Sequence, residues 1–165
     1  MPDAFELVRE ADDAEVDSVY REAFGVDAYP GFLDQQLPAH RTRSGFSLLG
    51  ARQGGRLLGF GYGYTGERGQ FWTEHVAANS PAELVDTWLG GHFEVVTLAV
   101  VPKARGRGVA TALMTELVRG RSEPCALLGT GQQPSPARRL YERLGWVELL
   151  HDLDGTYSLY GRVLR

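Results

Sequence analysis

The chain has 165 residues, 43% hydrophobic and 23% charged, with a formal charge of −4 from 17 basic and 21 acidic side chains. This near-average globular composition excludes a disordered or coiled-coil chain, and the acidic balance excludes diffuse attraction to nucleic acid, which needs a basic excess to displace counterions. The single cysteine, Cys125, excludes an internal disulfide and a multi-cysteine metal site. Met1–Glu10 lacks the order of a signal peptide, and no stretch approaches the ~18 uncharged apolar residues of a membrane span. The expectation is one soluble, cytoplasmic domain covering residues 1–165, with no membrane or nucleic-acid partner.

Phe5 to Val8 alternates and predicts a first strand. Asp12 and Glu15 have the spacing of an acidic capping box. Val16, Val19, Tyr20, Ala23 and Phe24 then recur at helical spacing until Gly25. Tyr29-Pro30-Gly31 breaks the chain before a second helical stretch, Phe32 to His40. Residues 46–52 and 56–65 read as strands joined by a primed turn at Gly54-Gly55. On the second of these, Leu58, Phe60, Tyr62 and Tyr64 fill one face and Gly59, Gly61 and Gly63 the other, so something packs very close to the glycine face.

Residues 66–91 are the least periodic and read as a long loop with one short helix, Pro81 to Leu89, started by Ser80. Phe93 to Val101 is an almost continuous apolar strand, expected to be buried on both faces and stopped by Pro102. Gly108 to Arg119 reads as a helix and Cys125 to Leu128 as a strand. Ser135 caps a helix with Pro136 at its first position, ended by Gly145. Trp146 to Leu150 and Tyr157 to Val163 are the last strands, with a turn at Asp154-Gly155. The pattern is mixed α/β, with no repeats, low-complexity tracts or linkers.

Thr97 to Thr111 (TLAVVPKARGRGVAT) is the most informative segment: a buried strand ends at a proline and a basic, glycine-rich loop opens into a helix. Amides at a helix start lack internal partners and carry partial positive charge. Gly106 and Gly108 let a ligand approach the backbone, with Lys103, Arg105 and Arg107 adding charge. This is either an anion cradle suited to a pyrophosphate or a solvated basic turn before an ordinary helix. It is not a Walker loop, because Gly108 is followed by Val109-Ala110, nor a dinucleotide fingerprint, whose spacing fails at Thr111.

The segment resembles the acetyl-CoA signature of the GNAT superfamily of N-acetyltransferases. The family's Gln/Arg-x-x-Gly-x-Gly/Ala appears as Arg105-Gly106-Arg107-Gly108-Val109-Ala110, after Leu98-Ala99-Val100 and Pro102. A second family element, Leu-Tyr-x-x-x-Gly-aromatic, appears as Leu140-Tyr141-Glu142-Arg143-Leu144-Gly145-Trp146. The resemblance implies a central mixed, mostly antiparallel sheet of about seven strands, splayed between the fourth and fifth, with helices on both faces. It implies acetyl-CoA as cosubstrate, no metal, and direct transfer through a tetrahedral intermediate to a primary amine of a small molecule or peptide; a homodimer is compatible with it. Main-chain groups of Leu98, Ala99 and Val100 would pair with the pantetheine and the acetyl carbonyl. Amides from Gly106 to Ala110, with Thr111 nearby, would bind the pyrophosphate. The Asn that many relatives carry before the tyrosine helix is replaced here by Gln132-Gln133-Pro134-Ser135, where Gln133 or Ser135 is the substitute.

Tyr141 is then the candidate general acid for the departing thiolate, against a plain reading as a core tyrosine sharing a face with Ala137, Leu140 and Leu144. Glu94, six residues before Val100, is the candidate base, against a strand-end carboxylate facing water or a water chain acting in its place. Tyr29, Phe32, Trp72 and His75 are candidates to wall the acceptor pocket, the alternative being that the aromatics are core. His92-x-Glu94 and Pro124-Cys125 match part of a zinc pattern, His-x-Glu…Pro-Cys-x-x-Cys, but Leu128 stands where the second cysteine is needed. His40, His75 and His151 read as surface residues, and Cys125 as a buried, unactivated thiol. The rival function is a non-catalytic acyl-CoA-binding regulatory module.

Overall fold

A computed structural model of the chain describes residues 4–9 and 11–164. The reading of the first ten residues falls in part on Met1–Asp3 and Glu10, outside the described residues. The strands are β1 (Glu6–Val8), β2 (Ser47–Gln53), β3 (Arg56–Gly66), β4 (His92–Val100), β5 (Cys125–Gly131), β6 (Val147–Leu150) and β7 (Tyr157–Val163). The α-helices are α1 (Asp13–Phe24), α2 (Leu37–Arg41), α3 (Phe71–Ala78), α4 (Ala82–Trp88), α5 (Val109–Val118) and α6 (Pro136–Arg143). The sheet has the order β1-β2-β3-β4-β5-β7-β6. It is antiparallel in the β1–β2, β2–β3, β5–β7 and β6–β7 pairs and parallel at β4–β5, where Phe93 faces Ala126 and Glu94 faces Leu127. The expected mixed, mostly antiparallel seven-strand sheet is therefore present. No helix among the described residues is long and apolar enough to cross a membrane.

The chain divides into two compact units, Met1–Tyr64 with Val96–Arg119, and Thr65–Val95 with Gly120–Arg165. In the first, Val16, Val19 and Tyr20 of α1 pack with Phe32, Leu37, Leu58, Phe60 and Tyr62. The β2–β3 hairpin turns on Gly54 (φ 56°) and Gly55 (φ 81°), the double positive φ that a primed turn requires. The glycine face of β3 meets what its sequence predicts. A Cβ at Gly59 would lie 2.7 Å from the Ala99 carbonyl oxygen, and one at Gly61 would lie 3.2 Å from Leu98 Cδ1 and 3.7 Å from Leu117 of α5.

Two local expectations in this unit are corrected. Asp12 occupies the N-cap of α1 but makes no side-chain capping bond. Glu15 instead accepts two hydrogen bonds, both 2.8 Å, from the Arg52 guanidinium on β2; a charged, bidentate partner outcompetes a single backbone N–H. The stretch expected as one helix from Phe32 to His40 is a π-turn over Phe32–Gln36 followed by α2. The N–H groups of Gln35 and Gln36 both bond to the Gly31 carbonyl, and Pro38 sits in the first turn of α2, where its missing N–H costs no intrahelical bond.

In the second unit, β5 pairs with β7 along its whole length, Cys125 to Gly131 against Val163 to Tyr157. It runs three residues past the predicted Leu128, because pairing continues through Gly129, Thr130 and Gly131, where the apolar pattern has ended. The long loop of 66–91 contains a helix that the periodicity does not reveal. In α3 only Thr73 and Val76 are buried and Phe71 is 83% exposed, so no apolar stripe marks it. Helix α4 starts on Pro81 at the N-cap, with no cap from Ser80. Helix α6 starts as predicted: the Arg138 N–H donates to Ser135 Oγ at 3.1 Å and Pro136 is its first residue.

Candidate functional site

Strand β4 is buried at its start, whereas Val96, Leu98 and Val100 at its end are only half-buried. The expectation of burial on both faces therefore holds for its first half alone. After Val100 a short 3-10 turn, Pro102–Ala104, leads to Arg105 and the glycine loop. Gly106 (φ 78°) and Gly108 (φ 81°) are both left-handed, and a Cβ on either would meet nothing within 4 Å. The loop thus has open space beside it, and glycine is there for the backbone angle. Gly108 is the N-cap of α5 and its carbonyl accepts from Ala112, so the N–H groups of Val109, Ala110 and Thr111 have no acceptor within the helix.

The arginines of the loop have a role that the sequence reading did not assign to them. Arg105 donates to the carbonyls of Val100 (3.2 Å) and Ala23 (3.0 Å). Arg107 donates to the Lys103 carbonyl (3.3 Å) and to Gln53 Oε1 (3.4 Å). They brace the loop to β4, α1 and β2 while contributing their charge. These features fit a pyrophosphate: exposed amides at a dipole's positive end, no side chain in the way, and a loop held in place before any ligand arrives.

Of the acceptor candidates in this unit, Tyr29 is 45% exposed; its hydroxyl donates to Gln35 Oε1 at 3.1 Å. Phe32 lies in the core with no exposed surface, stacked on Tyr20 at 4.0 Å. His40, read as a surface residue, is half-buried. Its Nδ1 lies 2.9 Å from the Tyr62 hydroxyl, which also accepts from Gln36 at 3.1 Å. Burial, helped by the charge of Arg43, pushes His40 down to about 4.

In the second unit, Tyr141 of α6 is buried, with its ring 6.2 Å from both Trp146 and Tyr160. Burial pushes its phenol up to about 12, and its hydroxyl has no hydrogen-bond partner among the described residues. The neighbouring Tyr160 differs, donating to Glu142 at 2.9 Å. Glu94 is 4% exposed, so the alternative of a carboxylate facing water is excluded. Beside it His92 is fully buried, with Nε2 at 4.0 Å from Glu94 Oε1. The one signal for His92 was its i, i+2 spacing from Glu94 on a strand.

Trp72 is half-buried, its ring 6.4 Å from that of His92, while His75 pairs with Asp154 at 2.8 Å. The Cys125 thiol contacts the Trp88 carbonyl, and burial pushes its pKa up. A half-open pocket of about 510 Å³ lies at the start of α6, with Gln132, Gln133, Ser135 and Arg138 in its wall. Ser135 is committed there to capping. Among the described residues no group of three or more His, Cys, Asp or Glu is placed to hold a metal ion.

Comparison with known proteins gives a consistent result. The model of the Acetyltransferase (GNAT) family matches residues 13–146. A GCN5-like protein acetyltransferase of Mycobacterium tuberculosis is 34% identical over 121 residues, covering 66% of this chain and 59% of its own length. A mycothiol acetyltransferase of Mycobacterium leprae is 30% identical over 166 residues, covering 90% of this chain and 46% of its own. The chain thus spans about half the length of the curated relatives it matches. Among solved structures, a PaiA N-acetyltransferase of Thermoplasma acidophilum in complex with coenzyme A superposes with a TM-score of 0.66 at 16% identity, covering 97% of this chain and 99% of the other.

Proposed function

The chain belongs to the acetyltransferase (GNAT) family, and from that premise we propose that it moves the acetyl group of acetyl-CoA directly onto a primary amine of a small molecule or peptide. The observation that carries this reading is the start of α5, where two left-handed glycines and a loop braced by arginines expose unpartnered amides within the family-matched residues. Amides from Gly106 to Thr111 hold the pyrophosphate, and the main chain of Leu98, Ala99 and Val100 holds the pantetheine arm. Bound acetyl-CoA supplies the activated thioester carbonyl.

The remaining work is proton handling by side chains. The acceptor arrives mostly as an ammonium, since an alkyl amine has an unperturbed pKa of ~10.4, and it must lose a proton before its lone pair is free. Glu94 attracts that cation and accepts the proton at its carboxylate. Tyr141, buried and pushed up to about 12, keeps its phenolic proton throughout the neutral range and delivers it from Oη to the leaving thiolate. No metal enters this scheme.

Thiol release from acetyl-CoA, measured against a broad amine panel, tests the proposal. The panel spans peptides and small amines, because the relatives carry different names, a GCN5-like protein acetyltransferase and a mycothiol acetyltransferase. Turnover with any amine supports the reading. Coenzyme A binding at micromolar affinity with no turnover across the panel would instead assign the non-catalytic acyl-CoA-binding module.

A further inference from the structure

His92 and Glu94 are two residues apart on β4 and so share one face of the strand. The His92 ring is held on several sides. Gly90 N–H donates to Nδ1 at 3.2 Å, Trp72 of α3 lies against it, and β3 passes so close that a Cβ at Gly66 would collide with the Nε2 edge of the ring. Because Nδ1 accepts a hydrogen bond, the neutral ring carries its proton on Nε2. That nitrogen has no hydrogen-bond partner among the described residues and lies 4.0 Å from Glu94 Oε1, longer than a formed hydrogen bond. A buried donor left unsatisfied is destabilising, so a histidine with only a packing role would be a poor choice here.

We propose that His92 is a positioning residue for Glu94, its Nε2–H closing onto the carboxylate to fix its orientation and hold it ionised for the acceptor amine. This deepens the function proposed above and rests on Glu94 as the base. Burial holds His92 down at about 4, so in the neutral range it stays a donor and does not itself collect the acceptor's proton. The charged groups around the ring are few. Glu123, whose charge favours the imidazolium, is bound by Arg121 and by Thr65 of β3, each at 2.8 Å, which offsets its field. Helix α3 presents Trp72, while its ionisable residues Glu74 and His75 are engaged by Arg68 and Asp154.

Two measurements test the assignment. The first needs no acceptor: histidine ¹⁵N spectra of the full chain, labelled at histidine, across pH. The expected result is an Nε2-protonated His92 that does not take a second proton above about pH 5. Its Nε2 shift should step with ionisation of Glu94, and the step should vanish in Glu94→Gln. A ring protonated at Nδ1, or a parent spectrum without that step, overturns the proposal whether or not the protein acetylates anything.

The second measurement is kcat/KM against pH with an accepted amine. His92→Leu removes the donor and should move the acidic limb up by about one pH unit, whereas His92→Gln, which keeps an N–H at a similar reach, should restore it. Coincident limbs for the parent and a folded His92→Leu overturn the positioning role. An acidic limb that persists in Glu94→Gln retires Glu94 as base and His92's role with it; the ¹⁵N step then tells this failure apart from a missing contact.

Discussion

The loop that opens α5 and the start of β4 follow each other closely in the chain, yet they are built on opposite principles. The loop discards side chains. Its two left-handed glycines leave bare amides facing open space, and its arginines spend their donors on carbonyls of β4, α1 and the loop itself. The start of β4 instead buries ionisable side chains, His92 and Glu94, and in the same unit α6 buries Tyr141. Backbone recognition of an anion needs access and a fixed conformation, whereas proton transfer needs side chains removed from water so that their proton affinities move. Substitutions in the loop should therefore change affinity, and those in the buried group should change rate.

The sharpest way to break that division is Tyr141→Phe. The ring keeps its contacts with Trp146 and Tyr160 while the proton donor goes, so turnover should fall by about 10²–10⁴-fold with coenzyme A affinity and Tm nearly unchanged. Equal turnover under conditions where chemistry limits the rate would make Tyr141 a packing residue. Gly108→Asp is the converse. The side chain enters open space and costs the fold only the strain of its positive φ, but its charge lies where the pyrophosphate would sit, so the Kd for acetyl-CoA, read by calorimetry, should rise by about tenfold or more. Unchanged affinity in the folded variant would remove the loop as the cofactor site.

Gly66→Ala tests whether the buried group tolerates crowding. Its Cβ would collide with the edge of the His92 ring, an overpacking that should lower stability by about 1–3 kcal/mol in urea titration. Gly69→Ala in the same unit, with nothing within 4 Å of its Cβ, should cost only the penalty of its positive φ.

A last comparison sets the two units side by side through His40 and His92, both held near 4 when folded against ~6.5 in an unfolded chain. Above pH 6.5 both states are neutral and the fold keeps its full stability. Between pH 6.5 and 4 the unfolded chain takes up protons that the fold refuses, so stability should fall with pH. His40→Gln and His92→Gln should each flatten that decline in the urea midpoint, and by similar amounts, because both rings are held near the same value. A midpoint constant from pH 7 to 4.5 would show that neither ring is held neutral.

What could be read from the sequence alone follows from physics that acts between near neighbours. The primed turn at Gly54-Gly55, the alternation of β3 and the Ser135–Pro136 start of α6 all depend on residue type at short spacing, and each is found where it was read. Three things were decided by the tertiary structure. Asp12 and Glu15 have the right spacing for a capping box, but Arg52, thirty-seven residues from Glu15, takes the carboxylate. Helix α3 buries too narrow a stripe to announce itself and takes its shape against Leu127 and Leu159 of the β-strands. His40 and His92 look like any other histidines until folding encloses them. Hydrogen-bond competition and desolvation depend on which distant residues arrive at the same place, and a local pattern does not carry that information.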